Sequence, residues 1–141
     1  MRSHHTKDKG DLGVLHAKVD LAEKGYVLLQ PLSEHAPFDL VVYKDVRFLR
    51  VSVKYRSAVD GGILLALRSV WADRNGIRTV PLDRGSIDVV CIYCPDTRVC
   101  YYVDPLAVAG SIRLRIAPAK NQQLKGVHLA SDFTEMPVRL R

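Results

Sequence analysis

The chain has 141 residues, 48% of them hydrophobic, and a formal net charge of +6. That length supports one domain with its own core, without disulfide or metal staples, and the basic balance favours a polyanionic partner because lysines and arginines on phosphates release counterions. Residues 1–11 are polar and no apolar run approaches about 18 residues, which argues against a signal peptide or membrane span and makes the cytoplasm the expected compartment.

Residues 1–8, with Arg2, His4, His5 and Lys7, read as a flexible basic arm, the histidines as part of a solvated terminus ahead of metal ligands. A helix is expected over residues 11–24, with Gly25 placed to end it. Leu12, Val14, Leu15, Val19, Leu21 and Ala22 form its apolar arc, and Asp11 and Lys18 fall inside that arc. Asp11 reads either as an N-cap or as a carboxylate directed inward for function. A short strand is expected over residues 26–31, then a loop over 32–36 whose Glu34 is a surface charge or a spare metal ligand.

The next stretch organises the rest. Residues 38–43 and 48–55 are rich in β-branched and aromatic side chains, and residues 44–47 interrupt them at hairpin length. A turn centred on Asp45 and Val46 sets Asp39 opposite Ser52, Val41 opposite Arg50 and Pro37 opposite Lys54. Alternation then puts Asp39, Ser52 and Lys54 on one face. A carboxylate there can hold Mg²⁺, and a nearby lysine can orient or help deprotonate a water. Asp39 and Lys54 also admit a plain structural ion pair.

Arg56 continues the Lys54 face as a phosphate contact. Residues 61–62 turn the chain into a strand over 63–70, followed by a turn over 71–76. Arg68, Trp71, Arg74 and Arg78 in and around that turn suit DNA contact, arginine being favoured for bidentate recognition of phosphate or guanine; Trp71 also reads as a cap on the core. Residues 87–93 read as a strand buried on both faces, paired through a turn at 94–98 with residues 99–103. Asp104 caps a helical turn begun by Pro105. Residues 111–116 alternate Arg113 and Arg115 with apolar neighbours, so both arginines line an exposed face. Residues 118–125 are polar, with Lys120, Asn121, Gln122, Gln123 and Lys125, and residues 136–141 read as a short mobile tail. Cys91, Cys94 and Cys100 suit reduced thiols better than disulfides; with His128 they also spell an incomplete zinc pattern.

Pro37-Phe38-Asp39, followed across the hairpin by Lys54, resembles the PD-(D/E)XK nuclease superfamily, and more narrowly its group I intron-encoded homing endonucleases. Further segments carry the likeness over residues 7–133: Lys9-Gly10-Asp11-Leu12-Gly13, Glu34-His35-Ala36-Pro37-Phe38-Asp39, Val53-Lys54-Tyr55-Arg56-Ser57, Trp71-Ala72-Asp73 and Tyr93-Cys94-Pro95-Asp96-Thr97. The resemblance implies a single restriction-endonuclease-like α/β domain over residues 9–135, a mixed central β-sheet with flanking helices. It implies that Asp39 and the Val53 carbonyl bind Mg²⁺, with Mn²⁺ as a substitute, while Lys54 addresses the attacking water; Asp11, one turn before the helical acid position of the family and on nearly the same face, is the candidate further ligand. Double-stranded DNA is the implied partner and a homodimer or homotetramer the implied assembly, since cutting both strands uses two active centres. Two positions depart from the pattern. Ser52 stands where the superfamily has Glu and these homing enzymes tend to have Gln, and Val14 stands at the usual helical acid position. A site with fewer acids holds its ion more weakly, so a degenerate protein that binds DNA without cutting is the alternative.

Overall fold

A computed structural model describes residues 6–81, 84–117 and 126–141, with the backbone alone for 68–73 and 77–81. The chain begins with helix α1 (Thr6–Glu23) and continues through β1 (Val27–Leu29), β2 (Leu40–Lys44), β3 (Arg47–Tyr55), β4 (Gly62–Ala66), β5 (Arg68–Asp73), β6 (Gly76–Pro81), β7 (Val89–Cys94), β8 (Val99–Val103), β9 (Ser111–Arg115) and β10 (His128–Leu129). The central sheet has the order β1-β2-β3-β7-β8. It is antiparallel except where β3 runs parallel to β7. That parallel pair makes the sheet mixed and buries β7 on both faces, as its unbroken apolar run requires.

Two cores lie on the two faces of this sheet. On one, Ala17 and Leu21 of α1 pack on Leu40, Val42, Leu49, Val51, Val89, Tyr93 and Tyr102. On the other, Val90, Ile92, Tyr101 and Val103 pack against Ile63, Leu65, Ile112 and Leu114 of the sheet β10-β9-β4. The layer covering the second face is built mainly from these strands, with Ala130 and Phe133 of a short 3-10 helix added to it.

The helix begins earlier and faces differently from the sequence expectation. Its start at Thr6 puts Asp11 inside the helix, exposed, so Asp11 is not an N-cap. The buried positions are Gly13, Ala17 and Leu21, with Val14 beside them, whereas Leu15 and Val19 are 56% and 58% exposed. Small residues won because the helix lies close to the sheet: a Cβ on Gly13 would already stand 3.5 Å from the Tyr55 Cβ. Two further contacts fix α1. The Tyr102 hydroxyl donates to the Asp20 carboxylate, and His16 stacks on Tyr93 with ring centroids 3.9 Å apart.

Three other expectations are corrected. The strand expected over residues 63–70 is two strands: β4 pairs with β9 as far as Ala66, the Leu67 amide still reaches the Gly110 carbonyl, and from Arg68 the chain pairs β5 with β6 instead. The turn between β5 and β6 accordingly lies at Arg74 and Asn75 rather than over 71–76. The residues after 135 are no loose tail: Met136 and Leu140 are buried in the helix-side core, and Arg139 pairs with Asp104 at 2.7 Å. Finally, Cys91 and Cys100 lie in one core and Cys94 in the other, all free thiols, so the sheet itself separates the residues of the zinc pattern.

Candidate active site

The hairpin of β2 and β3 has the register read from the sequence, with Leu40 opposite Val51 and Val41 opposite Arg50. Its turn residues Asp45 and Val46 have φ of 52° and 64°, the left-handed pair of a two-residue hairpin turn that matches strand twist. Asp39 lies one residue before β2, where the chain bends. Its amide donates to the Val51 carbonyl at 2.9 Å, and its Oδ2 accepts from the Val53 amide at 2.7 Å.

This bond decides where the carboxylate goes. Strand amides point along the plane of the sheet, so Asp39 takes the place of the ladder acceptor that β2 no longer supplies, beside β3 rather than standing on one face. Strict alternation across the strand, assumed from the sequence, ends at that bend. The amide and carbonyl of one strand residue point to the same side, so the Val53 carbonyl is directed toward the side that Asp39 occupies.

Asp39, Asp11 and Glu34 line one open groove of about 650 Å³, together with Lys7, Val14, Lys18, Gln30 and Phe38. Its walls are α1, the loop after β1 and the start of the hairpin. Lys18 donates to Gln30 across it at 2.7 Å. Lys7 and Gln30 had no signal in the sequence beyond ordinary arm and strand chemistry, and Lys18 stood out there only as a charge inside the apolar arc of the helix.

Ser52 and Lys54 do not line that groove. They follow the alternation of β3, with Ser52 beside Val90 and Lys54 beside Ile92 on the neighbouring strand. Ser52 is only 6% exposed, so its short hydroxyl is part of the packed sheet, while Lys54 is half-buried. The backbone joins the two halves of the site: Asp39 is bonded to the residue between Ser52 and Lys54.

Just beyond Lys54 the chain is held from the β7–β8 turn. The Arg56 amide donates to the Tyr93 carbonyl at 2.9 Å, and the Ala58 amide donates to Asp96 at 2.7 Å. Asp96 was visible in the sequence only as part of the segment Tyr93 to Thr97. Arg56 is half-buried and its guanidinium pKa is lowered by that burial. It shares with Arg113 the lining of a second cavity of about 450 Å³. Arg113 donates to the Val59 carbonyl at 2.6 Å and Arg115 to that of Asp60 at 3.4 Å. Arg113 is exposed and Arg115 half-exposed, as the alternation of β9 required, yet each spends a donor on the turn before β4. Arg74 is exposed at the β5–β6 turn. The side chains of Arg68, Trp71 and Arg78, and residues 118–125, lie outside the described residues.

Hard oxygen donors of this kind suit a small hard cation that keeps several waters and needs only one or two carboxylates. Asp39 retains Oδ1 for such a role, with Asp11 and Glu34 bordering the same groove. Among the described residues no group of three or more His, Cys, Asp or Glu is close enough to hold an ion. The fit is therefore to an ion bound by few protein ligands, and not to a closed protein cage.

A mixed sheet with a parallel pair beside the hairpin, one helix against it and a carboxylate fastened to the second hairpin strand define the restriction-endonuclease-like class of α/β protein. The chain belongs to the PD-(D/E)XK endonuclease family, whose sequence pattern matches residues 4–136. The family is one of nucleases, hydrolases of phosphodiester bonds. Among solved structures, the bacterial homing endonuclease I-Ssp6803I is similar in fold, with a TM-score of 0.72 at 24% identity over 86% of this chain and 84% of that one. No curated protein matches the chain. Among the described residues no helix is long and apolar enough to cross a membrane.

Proposed function

We propose that this chain is a Mg²⁺-dependent, site-specific double-strand DNA endonuclease of the group I intron homing type, acting in the cytoplasm as a homodimer or homotetramer. The observation that carries this reading is the bond from the Val53 amide to Asp39, which locks a groove-lining carboxylate to the strand that bears Lys54. Asp39, the Val53 carbonyl and Asp11 would hold the ion, which would supply Lewis-acid polarisation of the scissile phosphate. Lys54 orients the attacking water and takes part in its deprotonation. Arg56, Arg74, Arg113 and Arg115, with Arg68, Trp71 and Arg78, neutralise phosphates or reach base edges, with sequence read by the base contacts.

The second reading, a degenerate nuclease that binds DNA without cutting, is favoured by one observation. Ser52 is packed into the sheet and brings no carboxylate to the site. Nicking of supercoiled DNA with Mg²⁺ or Mn²⁺ separates the two. The endonuclease reading expects cleavage by the wild type and its loss in Asp39→Ala and Lys54→Ala. Equal activity in all three proteins discards it, and salt-sensitive DNA binding with no cleavage in any of them supports the degenerate reading.

A further inference from the structure

Three charged groups on one stripe of α1 border the groove of Asp39. Lys7, Asp11 and Lys18 fall within about 40° of one another around the helix axis, and all three line the groove. The stripe is distinct from the one that buries Gly13, Ala17 and Leu21 against the sheet. Along the axis Lys7 precedes Asp11 by about 6 Å and Lys18 follows it by about 10 Å, so two cations bracket the acid.

Lys18 differs from other fixed cations of the molecule in what holds it. Lys24 is bonded to Asp20, Arg50 to Asp88 and Arg139 to Asp104, each by a carboxylate that cancels its charge. Lys18 is half-buried and donates at 2.7 Å to the side-chain oxygen of Gln30, and among the described residues no carboxylate pairs with it. A neutral amide fixes the ammonium while leaving its charge uncancelled, and two of its three N–H donors remain for a ligand or water.

The charge of the whole groove points the same way. Two lysines against Asp11, Glu34 and Asp39 leave one net negative charge, which a divalent cation would turn into one positive charge. Each phosphodiester carries one negative charge, so the loaded groove complements a nucleic acid backbone. The separation of Lys7 from Lys18, about 16 Å along the helix, suits successive phosphates of one strand better than one small anion.

We propose that Lys18, fixed by Gln30, and Lys7 hold the phosphates of the cleaved strand on either side of the one addressed from Asp39. The proposal rests on the nuclease reading and adds the residues that seat the substrate strand. A strand held at two points cannot slide along the groove, so the scissile phosphate stays beside Asp39.

The test is metal-free binding of a short fluorescein-labelled DNA duplex, followed by anisotropy across a range of salt, with melting temperatures measured alongside. The proteins are the wild type, Lys7→Gln, Lys18→Gln, Lys18→Arg and, as a control, Lys9→Gln, which removes the same charge from the same helix about 200° away from Lys7. Lys7→Gln and Lys18→Gln are each expected to lower the slope of log affinity against log salt by about one, whereas Lys18→Arg and Lys9→Gln keep the wild-type slope. Gln30→Glu sets a carboxylate against Lys18 and is expected to lower the slope by the same amount. A wild-type slope in Lys18→Gln overturns the proposal, and a lowered Mg²⁺ requirement in that variant then assigns the lysine to the carboxylates. An equal loss in Lys9→Gln overturns it too, because the effect would be one of overall charge. Where Lys18→Gln fails to fold, Gln30→Glu decides, and an unchanged slope there overturns the proposal. Nicking of supercoiled DNA by the same proteins keeps the two readings apart. Slopes that fall as expected with no cleavage by the wild type support the seated strand and discard the endonuclease reading, whereas cleavage by the wild type with unchanged slopes discards this proposal alone.

Discussion

The Asp39 carboxylate accepts the Val53 amide hydrogen at 2.7 Å, so the acid of the site is fastened to the strand bearing Lys54. One oxygen holds the strand end and the other is left for chemistry. The two functions separate by substitution. Asp39→Asn keeps an acceptor for Val53 and is expected to retain the wild-type melting temperature while losing cleavage. Asp39→Ala is expected to lose cleavage and about 1 kcal/mol of stability as well. Lys54→Ala is expected to lower the single-turnover rate by about 10²- to 10⁴-fold, the usual worth of a positioned acid or base. Denaturant midpoints set beside rates check all three.

Asp11 and Glu34 border the same groove from the helix and from the loop after β1. Replacing either by its amide is expected to raise the Mg²⁺ concentration for half-maximal cleavage by roughly tenfold, with a smaller effect on the rate at saturating metal. Metal titration reads this directly. A curve that does not move for Glu34→Gln removes Glu34 from the site.

Gly62 lets Arg113 cross the sheet. A Cβ there would stand 2.3 Å from the Arg113 Nε, so Gly62→Ala must drive the guanidinium away from the Val59 carbonyl. The expected result is a loss of at most about 1 kcal/mol, because the displaced atoms belong to an exposed, flexible side chain. If Arg113 also contacts phosphate, the slope of log affinity against log salt falls by about one. Arg113→Ala is expected to match it, and the double variant to add little, because both changes remove one interaction.

Val46 holds φ of 64° at the hairpin tip while 88% exposed. A β-branched side chain is unfavourable in that region and here buries nothing in return. Val46→Gly is expected to stabilise the protein by roughly 0.5–1 kcal/mol, read by chemical denaturation.

Asp88 accepts hydrogen bonds from the Arg50 guanidinium, which hold its pKa below the ordinary 3.8 despite partial burial. A carboxyl group depressed in the folded state contributes stability that is complete above its unfolded pKa and lost as pH falls through the folded value. Asp88→Asn is therefore expected to be less stable than the wild type at neutral pH, with the difference closing below pH 3.8. Urea midpoints across that range check the sign.

Much of the hairpin was legible because it is local. Turn length and alternation gave the pairing of Val41 with Arg50, and the apolar run gave β7 as a strand buried on both faces. The Asp104 cap was equally local, its side chain accepting from the Leu106 amide. Local reading failed for the helix, where counting apolar residues selected Leu15 and Val19 although Gly13 and Ala17 face the sheet. The distance between helix and sheet is a property of the packed pair, and it rewarded small side chains over large ones. The same holds for residues 136–141, whose burial depends on a core formed by distant segments.

By itself the sequence determined the hairpin, its register, the charges at either end and the family likeness, because each depends on neighbours a few residues apart. Only the tertiary structure decided that Asp39 bonds in the sheet plane to Val53, and that Asp11 and Glu34 border its groove while Ser52 is packed away. Those outcomes come from segments far apart in sequence meeting under close packing, where one bend or one missing side chain redirects a group that alternation alone would place on the other side.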